Sequence, residues 1–113
     1  MRIAIVGSRA FKNLGLVEQY VAGLPIGSEV VSGGACGVDR CAETAAIAKG
    51  LKTTIFKALW SVNGKRAGYL RNRQIVDYAD KVVAFWDGQS KGTKHTIDIA
   101  VAEGKLHEVI GYA

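Results

Sequence analysis

Apolar runs and segments of helical periodicity alternate along almost the whole chain. Short apolar or β-branched runs predict five strands at residues 2–6, 29–32, 52–56, 81–86 and 107–111. Apolar and alanine positions at helical spacing predict helices at residues 14–23, 38–49, 68–78 and 94–103. The alternation predicts an α/β fold, with a small doubly wound sheet of about five mostly parallel strands flanked by helices in a single domain spanning residues 1–113.

Four segments follow the carboxyl ends of the predicted strands, and they hold nearly every unusual residue of the chain. They are residues 7–11, 33–37, 57–73 and 87–93. In doubly wound sheets, ligands bind beyond the carboxyl ends of the strands, where the strand order reverses. The connection that begins at residue 57 is also longer than the usual connection of about four to six residues. We therefore expect a ligand site at this edge of the sheet.

The strongest local signal is the glycine turn at residues 32–37, between a strand and a helix. Its main-chain N–H groups, from Ser32, Gly33, Gly34 and Gly37, would face an anion together with the positive end of the helix. A plain connection between strand and helix is the alternative interpretation. Asp39, in the first helical turn, would contact ribose hydroxyls, bind loop N–H groups or stabilise the helix end.

Three further loops carry groups suited to phosphate. Ser90, Gly92 and Thr93 form a second glycine-hydroxyl turn before a helix, although the Gly-Lys-Ser/Thr of a Walker loop is absent. Arg9 follows the first strand, where a single glycine replaces the three of a dinucleotide fingerprint. Arg71 and Arg73 cannot share one helical face, and we expect Arg71 to enter the site while Asn72 holds the loop.

Composition and charge narrow the class of partner. The 113 residues include 49% hydrophobic residues and one proline, as expected of a folded globular chain. Fifteen lysines and arginines against ten acids give a net charge of +5, which favours an anionic partner. Lys65, Arg66, Arg71 and Arg73 lie within nine residues that contain no acid, although a solvated basic face has the same pattern. Trp60 and Trp86 would stack on a base or pack in the fold, and packing is favoured for Trp86.

Other classes of protein are disfavoured. The apolar runs are too short for a membrane span or a signal peptide, so we expect a cytoplasmic protein without a membrane partner. The two cysteines, five residues apart, are too few for a structural metal site and are expected to be reduced. The two histidines have no evident partner in the pattern. No metal ion is therefore expected.

Four segments, in chain order, together carry a resemblance that spans the whole chain. They are Gly7-Ser8-Arg9, the run Ser-Gly-Gly-Ala-x-Gly-Val-Asp at 32–39, Trp60 with Gly64-Lys65-x-Ala67-Gly68-x-x-Arg71-Asn72, and Gly92-Thr93 before the last helix. In this combination the chain resembles the YspA/YpsA-related branch of the SLOG superfamily. That superfamily also contains the DNA-processing protein that loads recombinase on single strands and the cytokinin-activating phosphoribohydrolases. Small stand-alone members occur in bacteria and their phages.

The resemblance implies a Rossmann-like fold that binds a nucleotide-derived ligand at these loops. The chain differs from the phosphoribohydrolases after Gly92-Thr93, where it has Lys94, His95 and Thr96 in place of their catalytic glutamates. It also implies a homodimer or a higher homo-oligomer. The expected ligand-binding residues are Gly7, Ser8, Arg9, Ser32, Gly33, Gly34, Ala35, Gly37, Asp39, Trp60, Arg71, Asn72, Asp87, Ser90, Gly92 and Thr93.

Three functions stay open from the sequence. The favoured one is non-catalytic binding or sensing of a nucleotide-like small molecule such as ADP-ribose, a cyclic nucleotide or an NAD-related compound, with no further cofactor. The second is a nucleotide-processing hydrolase acting on an N-glycosidic or phosphate bond, which needs a suitably placed carboxylate. The third is a nucleic-acid binder that uses the basic segment at 57–73.

Overall fold

The computed structural model describes residues 1–111 and confirms the predicted alternation of strands and helices. The strands are β1 Arg2–Gly7, β2 Glu29–Ser32, β3 Lys52–Ile55, β4 Lys81–Trp86 and β5 Leu106–Gly111. The helices are α1 Leu14–Ala22, α2 Val38–Lys49, α3 Trp60–Asn63, α4 Ala67–Tyr78 and α5 Lys91–Ala102, and a 3₁₀ turn covers Gly64–Arg66 between α3 and α4.

The five strands form one parallel sheet in the order β3-β2-β1-β4-β5. The chain winds outward from β1 to β3, then returns to place β4 on the other side of β1. Strand order therefore reverses between β1 and β4, where Gly7 is in register with Phe85. The loops that follow these two strands leave the sheet in opposite directions, which opens a crevice at its carboxyl edge. The predicted doubly wound α/β class is confirmed.

Helices cover both faces of the sheet, so its central strands β1 and β4 are apolar on both sides. On one face, α1 and α2 pack against alternate residues of β1 and β4, with Val17 and Phe85 fully buried. On the other face, α4 and α5 pack against the intervening residues, with Ile75 and Val82 fully buried. Burial on both faces explains why β1 and β4 read as continuous apolar runs rather than as alternating patterns.

Two predicted boundaries are wrong in ways that affect the site. Helix α5 begins at Lys91 rather than at 94, because the Ser90 hydroxyl accepts a hydrogen bond from the Thr93 N–H and caps the helix. Gly92 and Thr93 therefore belong to its first turn and not to a loop. The predicted loop at 57–67 also contains α3 and the 3₁₀ turn. The remaining predicted ends lie within one residue of the observed ones.

Two findings on the described residues concern membrane spans and metal sites. The longest helices in residues 1–111 have 12 residues, too few to cross a bilayer. Within the same range, no group of three or more His, Cys, Asp or Glu side chains is placed to hold a metal ion. Cys36 and Cys41 are free thiols, and burial raises the pKa of Cys41.

Candidate functional site

A cavity of about 460 Å³ opens at the carboxyl edge of the sheet, where the sequence predicts a site. All four predicted segments contribute to its wall. The predicted site residues that line it are Gly7, Arg9, Ala35, Asp39, Trp60, Arg71, Asn72, Asp87, Ser90, Gly92 and Thr93. The fold thus brings most of the predicted residues together around one volume.

Five predicted residues do not line the cavity. They are Ser8, Ser32, Gly33, Gly34 and Gly37. The N–H group of Gly33 donates to Asp39 Oδ2 over 3.1 Å, and that of Gly34 donates to Ser32 Oγ over 3.2 Å. The prediction that these two amides face a phosphate is therefore wrong, because the side chains of Asp39 and Ser32 already accept their hydrogen bonds.

Asp39 is the residue that holds the glycine turn in shape. Its Oδ2 accepts hydrogen bonds from the N–H groups of Gly33 and Ala35, at 3.1 and 3.4 Å. This is the second of the three roles that the sequence left open for Asp39. The carboxyl group is buried, with 5% of the residue exposed. Burial raises the pKa of Asp39 to about 6, although the two amides and the nearby Arg71 act in the opposite direction.

Arg71 connects α4 to the glycine turn. Its Nη1 donates to the Gly33 carbonyl over 2.6 Å, and its Nε donates to Asn72 Oδ1 over 3.0 Å. Burial lowers the pKa of Arg71, while Asp39 favours its charged form. The guanidinium stays protonated at neutral pH, and Nη2 has no hydrogen-bond partner within residues 1–111. Arg71 can therefore hold the loop and still present a charge to a ligand.

Gly33 is required by this arrangement although its φ angle is ordinary. A Cβ atom at this position would lie 2.6 Å from Arg71 Nη1 and 2.9 Å from Asp39 Oδ2. Both distances are shorter than van der Waals contact, so the close approach of the two charged groups depends on the missing side chain.

Asn72 holds the start of α5, rather than the loop that the sequence analysis expected it to hold. Its Nδ2 donates to the Gly92 carbonyl over 3.2 Å and lies 3.3 Å from His95 Nδ1. The amide therefore ties α4 to the first turn of α5, and it gives His95 the partner that the sequence did not reveal. Burial lowers the pKa of His95, which favours its neutral form.

Hydroxyl groups fix the loops that follow β1 and β4 to each other. Ser8 Oγ accepts from the Asp87 N–H over 3.2 Å and lies 3.4 Å from Thr93 Oγ1, which donates to Ser90 Oγ over 3.2 Å. Asp87 Oδ1 accepts from the N–H groups of Ser90 and Gln89, each at 2.9 Å. These two amides lower the pKa of Asp87. The rim of the cavity is thus built before any ligand arrives.

The cavity is lined by more positive than negative side chains. Arg9, Lys65 and Arg71 line it together with the carboxylates Asp39 and Asp87, both of which are engaged by loop amides. Within residues 1–111, neither Arg9 nor Lys65 takes part in an ion pair. The wall can therefore attract and neutralise an anion.

Two aromatic side chains stand at the rim. Trp60 is 56% exposed and Tyr69 is 51% exposed, and both line the cavity. The sequence analysis missed Tyr69. The signal that could have identified it is an aromatic residue inside the basic segment at 57–73. Trp86 is half-buried and donates from Nε1 to the Ser90 carbonyl over 3.1 Å, in agreement with the packing role predicted for it.

Arg73 points away from the cavity, as the helical spacing requires. Its guanidinium pairs with Asp77 and Glu103, at 3.6 and 3.1 Å. The prediction that Arg71, rather than Arg73, lies at the cavity is thus confirmed.

Comparison with solved structures confirms the Rossmann-like architecture. The DNA processing protein A of Streptococcus pneumoniae superposes with a TM-score of 0.85 at 26% identity, over 98% of this chain and 50% of that one. The DNA processing protein A of Helicobacter pylori, which binds single-stranded DNA, superposes with a TM-score of 0.73 at 22% identity, over 96% of this chain and 64% of that one. The chain therefore spans about half to two thirds of these two proteins.

Sequence comparison gives the family. The chain is 37% identical over 113 residues to the Gene 61 protein of Mycobacterium phage D29, covering 91% of this chain and 90% of that protein. The family model of DNA recombination-mediator protein A matches residues 1–59, which include β1, the glycine turn and α2. The resemblance to the superfamily that contains the DNA-processing protein is confirmed. The chain belongs to the DNA recombination-mediator protein A family.

Proposed function

We propose that this protein binds single-stranded DNA at the cavity on the carboxyl edge of its sheet. The observation that carries the proposal is the combination of three cationic side chains with two half-exposed aromatic side chains around one preformed cavity. Single-strand binding proteins use this combination, with cations along the phosphates and rings that stack on successive bases.

The cations supply the contacts to phosphate. Arg9 is exposed after β1, Lys65 lies in the 3₁₀ turn, and Arg71 reaches in from α4. Because they stand on three different elements, they surround the cavity rather than form a flat basic face. A phosphate in the cavity would meet charge from several sides, and partial burial would strengthen its interaction with Arg71.

The aromatic rim supplies the contacts to bases. Stacking on an aromatic side chain contributes about 1–3 kcal/mol per base and tolerates any sequence. Trp60 packs beside Gly68, where a Cβ atom would lie 3.4 Å from Trp60 Cη2, and its ring is otherwise largely open to solvent. The ring is thus available to a base whose phosphate occupies the cavity.

The relatives support a DNA ligand over a free nucleotide. The family match and the likeness to two DNA processing proteins, one of which binds single-stranded DNA, favour the third function that the sequence left open. The volume of about 460 Å³ nevertheless falls in the range of small-molecule sites. Sensing of a nucleotide-derived ligand in the same cavity is therefore the second candidate function.

The proposal is tested by fluorescence anisotropy with a labelled oligothymidine of about 12 nucleotides, within the usual range of site sizes. Between about 50 and about 200 mM salt, three phosphate contacts predict a slope of log K against log salt of about −2. Replacing Arg9 with alanine should weaken binding by about 1.5 kcal/mol, roughly tenfold, and reduce the slope by about 0.7.

The control is Lys81→Ala, which removes the same charge at the amino end of β4, away from the cavity. Affinity and slope should stay close to wild type in this variant. A slope near zero, or equal losses in Arg9→Ala and Lys81→Ala, would contradict the proposal. Tight binding of AMP or ADP-ribose with no affinity for the oligonucleotide would instead establish the second candidate.

A further inference from the structure

Tyr69 stands at the junction of three cavities, a placement that the proposed function does not explain. It lines the main cavity of about 460 Å³, a groove of about 330 Å³ beside the start of α5, and a groove of about 350 Å³ between α4 and α5. A strand longer than one nucleotide must leave the main cavity, and Tyr69 borders both grooves through which it could pass.

The Tyr69 ring is held in one orientation while half of its surface stays open. It meets His95 edge to face, with ring centroids 4.5 Å apart and planes at 67°. His95 is in turn held by Asn72 through the 3.3 Å contact at Nδ1. A ring that is fixed on one side and exposed on the other is a suitable platform for a base, because little side-chain entropy is lost on stacking.

The two grooves differ in how they join the main cavity and in the residues of their walls. The groove beside α5, called here the exit groove, is bordered by Tyr69, Ser90, Lys91 and His95, and it shares both Tyr69 and Ser90 with the main cavity. Lys91 has no ion-pair partner within the described chain. Its neighbour Lys94 is neutralised by Asp98 at 2.5 Å.

The other groove is less continuous with the main cavity. It shares only Tyr69 with the main cavity. Of its two arginines, Arg73 is paired with Asp77 and Glu103, and Arg66 takes part in no ion pair within residues 1–111. The apolar side chains of Leu70 and Ile99 form part of its wall. The exit groove is therefore the better continuation of the main cavity, because it shares two residues with it and has no leucine or isoleucine in its wall.

We propose that a single strand leaving the main cavity stacks one base on Tyr69 and continues through the exit groove, where Lys91 binds a backbone phosphate. The inference rests on the proposed function and extends it, since it assigns a direction and a second subsite to the bound strand. It predicts a footprint of several nucleotides, in which the first occupy the main cavity and the next depend on Tyr69 and Lys91.

The test compares oligothymidines of about 4 and about 12 nucleotides in the same anisotropy assay. The long strand offers more positions at which a single site can bind, which raises its apparent affinity. Wild type should bind the long strand more tightly than this statistical factor alone predicts. Tyr69→Ala should lose about tenfold or more in affinity for the long strand, whereas Tyr69→Phe, which keeps the ring, should retain it. Lys91→Ala should lose affinity for the long strand and reduce its salt slope by about 0.7, with little change for the short strand.

Two controls separate the possible failures. Lys81→Ala removes a remote cation and should leave both lengths unaffected, while Arg66→Ala tests the groove between α4 and α5. The inference would be overturned if Lys91→Ala lost the same affinity for both lengths. It would also be overturned if Arg66→Ala lost the preference for the long strand while Lys91→Ala kept it. If wild type binds neither length, the proposed function itself fails, which is a different result from binding without the length advantage.

Discussion

Replacing Asp39 with asparagine should change how the stability of the protein depends on pH. The carboxyl group is buried, and burial raises its pKa from 3.8 to about 6. Because the folded-state pKa lies above that of the unfolded chain, folding favours the protonated form. The contribution of Asp39 to stability is therefore fully present below pH 3.8 and is lost as pH rises through about 6.

The magnitude follows from the size of the shift. About two pKa units at 1.36 kcal/mol each give about 3 kcal/mol in total, of which about 2 kcal/mol is lost between about pH 4.5 and about pH 7.5. Asparagine does not titrate, and its side-chain oxygen can still accept a hydrogen bond from the Gly33 or Ala35 amide. The free energy of unfolding of wild type minus that of Asp39→Asn should therefore fall by about 2 kcal/mol across this range.

Urea unfolding at a series of pH values measures this difference directly. Taking the difference between two proteins cancels the contributions of other groups, such as Asp87, whose pKa is shifted in the opposite direction. Asp98→Asn, at an exposed position paired with Lys94, controls for the loss of a surface carboxylate. The free energy of unfolding of wild type minus that of Asp98→Asn should change by no more than about 0.5 kcal/mol over the same pH range. A wild-type minus Asp39→Asn difference that rises with pH would refute the reasoning, since it would mean that the amides and Arg71 outweigh burial.

Substitutions at two further positions test the backbone of the site. Gly7→Ala should destabilise the fold by about 1–3 kcal/mol, because the new Cβ would lie 2.7 Å from the Phe85 carbonyl oxygen and 2.7 Å from Val38 Cβ; an unchanged urea midpoint would show that β1 has room to move. Ser90→Ala should cost about 1 kcal/mol through loss of the α5 cap, a drop of about 4 °C in Tm, while Ser90→Asp should stay near wild type. Equal melting temperatures for the two Ser90 variants would argue against the cap.

The sequence was sufficient to predict the fold and the edge of the sheet at which the cavity opens. Strands buried on both faces leave continuous apolar runs, and the doubly wound rule then places their following loops at one edge. This is why Arg9, Asp39, Arg71 and Ser90, which are far apart in sequence, could be assigned to one cavity before the structure was known.

The orientation of individual groups could not be predicted in the same way. Whether the Gly33 amide faces a ligand or Asp39 depends on side-chain rotamers and distances of a few tenths of an ångström, which periodicity does not encode. The early start of α5 depends on one hydroxyl cap at Ser90. Tyr69 was missed because its importance lies in bordering three cavities, a property of helix packing rather than of local sequence.

Photocrosslinking with an oligothymidine that carries iododeoxyuridine, followed by peptide mapping, tests the central claim most directly. An excited base couples to an aromatic ring on which it stacks, so the account predicts crosslinks at Trp60 and Tyr69, which vanish when unlabelled single-stranded DNA is added in excess. Crosslinks confined to α1 and to residues 40–49 of α2, which do not line the cavity, would show that DNA binds elsewhere and would contradict the account.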